Sequence, residues 1–298
     1  MIIETVDLTK IYDGKIGCKD ICLSVTEGQV FGFLGPNGAG KSTVVKTLLG
    51  LLRPTSGEAW VLGKPVGDRT SRKRVGFLPE LFRFQDWLTG QELLEFHAAM
   101  YQIDGRQVGK RIISVLDTVN LRGRERDRIS TYSKGMQQRL GLASALLPDP
   151  ELVFLDEPTS ALDPLGRREV RDIISKLKAR GKTVFLNSHL LSEIEMTCSE
   201  VAFIRKGLIV DSGRLQDFTT GNQVLTIRYE GGPEIEEAIK ALALDMKTDS
   251  GRIQATLASE EVIPLIAAAV VENGGQLYEL STSGYSLEDV FVKIMEDS

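Results

Sequence analysis

The stretch Gly35-Pro36-Asn37-Gly38-Ala39-Gly40-Lys41-Ser42 constrains the fold more than any other part of the chain. Its spacing, G-x-x-x-x-G-K-S, is that of a phosphate-binding loop. An apolar run from Gln29 to Leu34 precedes it and a helix-like segment from Lys41 to Leu52 follows. The loop needs that strand–turn–helix setting. Glycines let backbone N–H groups converge on an anion without Cβ clashes. The helix behind aims the positive end of its dipole at the same point. Lys41 is then placed to neutralise the β and γ charges of a nucleotide. Ser42 offers a hydroxyl to Mg²⁺, with Thr43 beside it in the first turn. The loop alone implies a bound nucleoside triphosphate; kinases, GTPases and motor ATPases share it.

The run Leu152-Val153-Phe154-Leu155-Asp156-Glu157 narrows the chemistry. A continuous apolar strand is one covered on both faces, and a parallel sheet binds ligands at the carboxyl ends of its strands. Asp156 is therefore expected to hold Mg²⁺, directly or through water. Glu157 is expected to polarise the attacking water as general base. Phosphoryl transfer asks mainly for placement and charge stabilisation, so one positioned carboxylate suffices. In isolation, two acids at a strand end read more simply as solvated. Downstream of a phosphate loop they gain a task.

Composition limits the alternatives. A chain of 298 residues suggests two domains at roughly 100–200 residues each. The net charge of −5 speaks against a general nucleic-acid binder, so no nucleic-acid partner is expected. Cys18, Cys22 and Cys198 form neither a Cys-x-x-Cys pair nor a metal-ligand spacing and read as reduced thiols. The opening Met1-Ile2-Ile3-Glu4-Thr5 lacks the basic flank and apolar core of a signal peptide. The longest uncharged apolar run, Val262 to Val271, contains Pro264 and falls short of the roughly 18 residues that span a bilayer. Any membrane role is expected to come through a partner.

Along the chain, Val75 to Leu78 reads as a second short strand, and residues from about 86 to 147 look mostly helical. Asp163-Pro164 opens a helix with Val170, Ile173, Ile174 and Leu177 on one face, and Gly181 closes it. Thr183 to Asn187 is a strand, and Val201 to Ile204 with Leu208 to Val210 form a hairpin. The pattern shifts near Thr219-Thr220-Gly221-Asn222. Beyond it come a strand (Val224 to Tyr229), a helix (Pro233 to Ala243), strands (Asp245 to Thr248, Arg252 to Leu257), a helix (Glu260 to Asn273), a strand (Gln276 to Leu280) and a helix (Ser286 to Met295). That order resembles a small ferredoxin-like α+β domain. The expected domains are 1–220 and 221–298, with a helical subdomain at about 81–149.

The stretch Thr131-Tyr132-Ser133-Lys134-Gly135-Met136-Gln137-Gln138-Arg139 resembles the signature motif of the ATP-binding cassette (ABC) family, whose usual core is Leu-Ser-Gly-Gly-Gln. Ser133 and Gly135 match. Tyr132, Lys134 and Met136 depart in the manner of a variant common among ATPases of bacterial exporters. Ser133 looks like a helix cap. Other pieces stand in family order. Tyr12 resembles the aromatic residue that stacks on adenine, although a core aromatic would look the same. Ser160-Ala161-Leu162-Asp163 resembles the loop that crosses the dimer interface. His189, after Asn187-Ser188, resembles the switch histidine that contacts the γ-phosphate. Glu80 stands where the family usually carries glutamine, near Mg²⁺.

The resemblance covers roughly residues 1 to 215 and implies an α/β fold. Its core would be a P-loop NTPase with a RecA-like mixed sheet, an antiparallel β part and a helical subdomain, followed by the ferredoxin-like domain. It implies ATP and Mg²⁺ as ligands, and a homodimer or heterodimer of ATPase subunits. Each ATP would lie on one chain's phosphate loop and under the other's Ser133 and Gly135. It implies a membrane permease docked near 81–95 and a peripheral place on the cytoplasmic face of the membrane. The tail resembles those of ATPases paired with type-2 (ABC-2) export permeases, with a dimer-stabilising or regulatory role. The alternatives are a non-transport cassette ATPase and a nucleotide-gated regulatory module. His97 and the mixed-sign run from Arg122 to Arg128 read as structural and solvated.

Overall fold

Asp13 and Gly14 both hold positive φ, at 44° and 82°, the geometry that a two-residue hairpin turn demands. They join β1 (Ile3–Tyr12) to β2 (Lys15–Val25), with Tyr12 paired to Lys15 across the turn. This is a computed structural model that describes residues 1–160, 162–219, 223–249, 252–283 and 287–296. β3 (Val30–Leu34) is buried at every position and feeds the glycine loop, which runs into α1 (Lys41–Leu48). That helix stops short of the expected Leu52. Leu49 caps it and Gly50 turns to φ +67°, a conformation glycine adopts without strain.

β4 (Ser56–Val61) returns antiparallel onto β1, and β5 (Lys64–Pro65) pairs with β4. This sheet has the order β2-β1-β4-β5. It supplies the antiparallel part of the expected fold, whose strands the sequence pattern left unlocated. α2 (Arg69–Arg72) begins under an Asp68 cap and leads to β6 (Val75–Leu78). Three helices follow: α3 (Gly90–Met100), α4 (Gly105–Thr118) and α5 (Lys134–Leu146). A Thr89/Glu92 capping box starts α3, each side chain satisfying the other residue's backbone donor.

The chain then alternates β7 (Leu152–Asp156), α6 (Pro164–Ala179), β8 (Thr183–Asn187), α7 (Leu191–Thr197), β9 (Glu200–Arg205) and β10 (Leu208–Arg214). The second sheet has the order β10-β9-β3-β8-β7-β6, and its pairs from β9 to β6 are parallel. β8 therefore lies between β3 and β7. The carboxyl ends of these three neighbours open on one edge of the sheet. Phe185 of β8 packs against Phe31, Phe33 and Phe154, with ring centroids 5.2–5.5 Å apart.

The chain divides into two units, Met1–Gly213 and Arg214–Ser298. The expected boundary between residues 220 and 221 lies outside the described residues. The division comes earlier because α8 (Leu215–Thr219) packs beside the last helix of the second unit. That unit continues with β11 (Gln223–Glu230), α9 (Pro233–Leu242), β12 (Asp245–Asp249), β13 (Arg252–Leu257), α10 (Ile263–Glu272), β14 (Gln276–Ser283) and α11 (Leu287–Glu296). Ser286, expected to open α11, lies outside the described residues. The sheet order β12-β13-β11-β14, with all pairs antiparallel, is ferredoxin-like. Leu225 and Ile227 of β11 bury against Ile235, Ile239, Ile266 and Val270 of α9 and α10.

Phe185 is wholly buried at the centre of four aromatic rings. Phe185→Ala should therefore lower the unfolding free energy by about 3–5 kcal/mol. Urea denaturation followed through the cassette unit measures it, and a loss under 1 kcal/mol would contradict this packing.

Candidate functional site

The glycine loop is shaped by different needs at different positions. Gly38 has φ +79° with open space around it, so its requirement is conformational. At Gly35 a Cβ would meet the Ile204 carbonyl oxygen at 2.3 Å, so its requirement is close approach. Gly40 has both: φ +105°, and a Cβ would lie 2.2 Å from the Gly17 carbonyl oxygen of β2. The loop is pinned from behind, where Gly207 N–H donates to the Ala39 carbonyl at 2.8 Å. No side chain caps α1, which leaves the start of the helix without a side-chain acceptor competing with an anion.

Lys41 is 7% exposed, and its Nζ donates to the Gly35 and Pro36 carbonyls at 2.6 and 3.2 Å. Gly35 and Pro36 thus support the lysine from behind and do not line the cleft. Burial lowers the Lys41 pKa, and the charges of Glu157, Asp156 and Glu80 oppose that shift. Those three carboxylates share the cleft with it. Asp156 ends β7 and accepts a hydrogen bond from Asn187 Nδ2 at the end of β8. Burial raises its pKa; the Asn187 bond and Lys41 pull it down, while Glu80 adds to the rise. Glu157 holds φ +51°, and its N–H donates to the Asn187 carbonyl at 2.8 Å. Its Oε2 lies 2.7 Å from His189 Nδ1. Burial raises the Glu157 pKa, against His189 and Lys41.

Together these groups line a cleft of about 520 Å³. The loop residues Asn37, Gly38, Ala39, Gly40, Ser42 and Thr43 form one side. Asp156, Glu157, Glu80 and His189 form the other, and Tyr12 stands at the mouth. The Tyr12 ring sits where a Cβ on Gly17 would come within 2.6 Å, so the bare Gly17 leaves it room. Lys10 Nζ lies 5.2 Å from the ring centroid.

Ser133, Gly135 and Asp163 are not in this cleft. They line a second cavity of about 410 Å³. Ser133 caps α5, its Oγ accepting from Met136 N–H at 3.2 Å. Asp163 caps α6 through Gly166 N–H at 2.8 Å. Ala161, expected in the loop before Asp163, lies outside the described residues.

A family model described as ABC transporter matches residues 18–160. The uncharacterised ABC transporter ATP-binding protein all4389 of Nostoc sp. is 40% identical, over 98% of this chain and 89% of its own length. This chain belongs to the ABC transporter ATP-binding proteins. The bacitracin transport ATP-binding protein BcrA of Bacillus licheniformis is 34% identical over 99% of this chain and 97% of its own. Among solved structures, an ATP-binding subunit of an ABC transporter matches with a TM-score of 0.67 and 28% identity. That match covers 74% of this chain and 92% of the other. The cassette MJ0796, solved as a dimer in a post-hydrolysis state bound to ADP and Pi, matches with a TM-score of 0.64 and 25% identity. It covers 72% of this chain and 98% of its own. The chain is thus an ABC ATPase, and the ATP-binding subunit of a transporter.

Ile16, Gly17 and Asn187 also line this ABC cleft without having been expected there, and Asn187 is the one that bonds the two acids. Asn187 is buried and joins the two acids: its side chain donates to Asp156 and its carbonyl accepts from Glu157. Its Oδ1 is a buried acceptor with no hydrogen-bond partner. The available signal was a lone amide closing the apolar run Thr183 to Asn187, just ahead of Ser188-His189. Removing that donor leaves a buried carboxylate unsatisfied, which costs about 1–3 kcal/mol. Asn187→Ala should lose stability in that range by chemical denaturation, and an unchanged midpoint would show that the pair carries nothing.

Proposed function

We propose that this ABC subunit hydrolyses ATP as a dimer and drives export through a separate membrane permease. The observation that carries the reading is the split of the expected site into two cavities on one chain. The cleft holds Lys41, Asp156, Glu157 and His189, while Ser133 and Gly135 open on another cavity. Both places are helix starts suited to anions. A second copy, turned face to face, would bring its Ser133 and Gly135 over the nucleotide held by the first, with Asp163 and its loop at the junction. Either a homodimer or a heterodimer satisfies this. The MJ0796 cassette, dimeric and bound to ADP and Pi, supports it.

In the cleft, Tyr12 would stack on adenine, and the loop from Asn37 to Thr43 would wrap the phosphates. Lys41 would exchange its carbonyl partners for β and γ oxygens. The donor set suits Mg²⁺: the Ser42 hydroxyl, the carboxylates of Asp156 and Glu80, and the unpartnered Asn187 oxygen are all hard oxygen ligands. Among the described residues no group of three or more His, Cys, Asp or Glu side chains could hold a metal. Sharing the ion with nucleotide oxygens is how Mg²⁺ usually binds. Bound there, Mg²⁺ supplies charge neutralisation on the phosphoryl oxygens. Glu80, in place of the usual glutamine, adds negative charge beside Asp156. Glu157 would take the proton of the attacking water, its burial making it a stronger base than a solvated carboxylate. His189 holds the Glu157 carboxylate and would reach the γ-phosphate.

The permease is proposed to dock near 81–95. Leu81 and Trp87 are 87% and 71% exposed, and Phe96 and Met100 on α3 are exposed beside that segment. Large apolar side chains left exposed this close in sequence support an interaction site there. Among the described residues no helix is long and apolar enough to cross a membrane. A peripheral place on the cytoplasmic face, held through the permease, is part of this proposal. Export as the direction is supported by the relatives BcrA, the Nod factor export ATP-binding protein I of Rhizobium meliloti and the linearmycin resistance protein LnrL of Bacillus subtilis.

Glu157→Gln removes the base and keeps the shape of the site. With saturating Mg-ATP it should elute as a stable dimer by size exclusion, with turnover down at least about 100-fold. A monomer under those conditions, or near-normal turnover, would overturn the shared-site mechanism.

A further inference from the structure

α4 turns a polar stripe toward the sheet layer. Arg111, Ser114 and Thr118 stand at i, i+3 and i+7 along it, so they share one face. They line a cavity of about 220 Å³ whose far wall is Arg180 and Lys182, with apolar contacts from Val115, Leu146 and Leu177. Asp149 and Pro150, just before β7, and Lys182, just before β8, place it at the amino ends of those strands. The nucleotide cleft lies at their carboxyl ends and shares no lining residue with it.

The charges here do not balance. Lys182 Nζ is paired to Asp149 at 2.6 Å, and Asp149 is the one carboxylate lining the cavity. Arg111 Nη1 donates to the Leu147 carbonyl at 3.3 Å, and Arg180 Nη1 to Thr118 Oγ1 at 3.2 Å. Both acceptors are neutral. A guanidinium carries five N–H donors in a planar fork, so each retains most of its capacity. Arg111 is half-buried and Arg180 exposed, and neither has a carboxylate partner among the described residues lining the cavity. An anion between them would add charge-assisted hydrogen bonds. The volume is below that of a drug-sized pocket, and the apolar side offers a surface for a small hydrocarbon body.

We propose that this cavity binds a small organic phosphate, its head held between Arg111 and Arg180 and its apolar body against Val115, Leu146 and Leu177. Arg111 belongs to α4, between β6 and β7, and Arg180 follows α6. A ligand here ties the helical segment that carries Ser133 to the layer that carries Asp163.

Phenyl phosphate is the probe, titrated by calorimetry into the full chain with the nucleotide cleft saturated by ADP. One saturable site is expected, and neutral phenol should not compete for it. Arg180→Gln should weaken binding about tenfold, and Arg111→Gln with Arg180→Gln should abolish it. Melting curves check that both variants fold. In the unmutated protein, phenyl phosphate should protect Arg111 and Arg180 from phenylglyoxal, mapped by mass spectrometry. Absence of saturable binding, equal competition by phenol, unchanged affinity in the double variant, or no protection of either arginine would overturn the proposal.

Discussion

The cassette is organised by the burial of opposite charges at one edge of a parallel sheet. Lys41, Asp156 and Glu157 are each less than a tenth exposed. An isolated buried ion costs several kcal/mol even after relaxation, so none of the three could sit there alone. Burial pushes the lysine down and the acids up; the acids draw the lysine back, and the acids are drawn back by hydrogen bonds from Asn187 and His189 and by the charge of Lys41. The strand order makes this possible. Because β8 separates β3 from β7, the lysine and the acids face one another across a single strand. Asn187, at the end of that strand, has room to bond both acids. A slip of register by one residue would turn this set away from the cleft.

The same arrangement explains why the antiparallel sheet is joined to the parallel one at the loop. Gly40 and Gly17 approach backbone to backbone, and Gly207 lies beside them, its N–H donating to the Ala39 carbonyl. The β1–β2 hairpin thereby sets the mouth of the cleft and brings Tyr12 to it. The loop's shape is held by neighbouring strands, so its N–H groups need no large reorganisation when phosphate arrives, and preorganised donors are the effective ones.

Much of this was legible from residue order. Val75–Leu78 and Thr183–Asn187 form strands over the ranges the apolar runs indicate; Thr183–Asn187 is buried on both faces and leaves an unmixed signal. The ferredoxin-like order of the second unit was legible because its strands and helices change period cleanly. β1, β2 and β4 were not located: they bury one face only, and their register shifts at several points break the alternation. The end of α1 was missed because Leu51 and Leu52 extend its apolar pattern although the backbone has already turned at Gly50. Asn187 was missed because an amide at a strand end has no pattern of its own; its role appears only when β7 lies beside β8. The two cavities were invisible for the same reason. Spacing names Ser133 and Lys41 but carries no distance between them.

One departure of the signature-like segment from its usual form, Tyr132, has a local physical setting. Tyr132 is buried, and its hydroxyl donates to the Arg124 carbonyl at 2.7 Å. A Cβ on Gly90 would lie 2.5 Å from that hydroxyl oxygen. The large ring is thus accommodated by a glycine at the first position of α3 and anchored by the loop that precedes the segment. Gln137 Nε2 closes the turn onto the Tyr132 carbonyl at 3.3 Å. One buried side chain therefore joins the start of α3 to the residue that caps α5. α3 carries the exposed Phe96 and Met100, and α5 begins at Ser133. Close packing transmits small displacements where a loop would absorb them. The tyrosine that departs from the consensus thus packs the start of α3 and the cap of α5 into one unit.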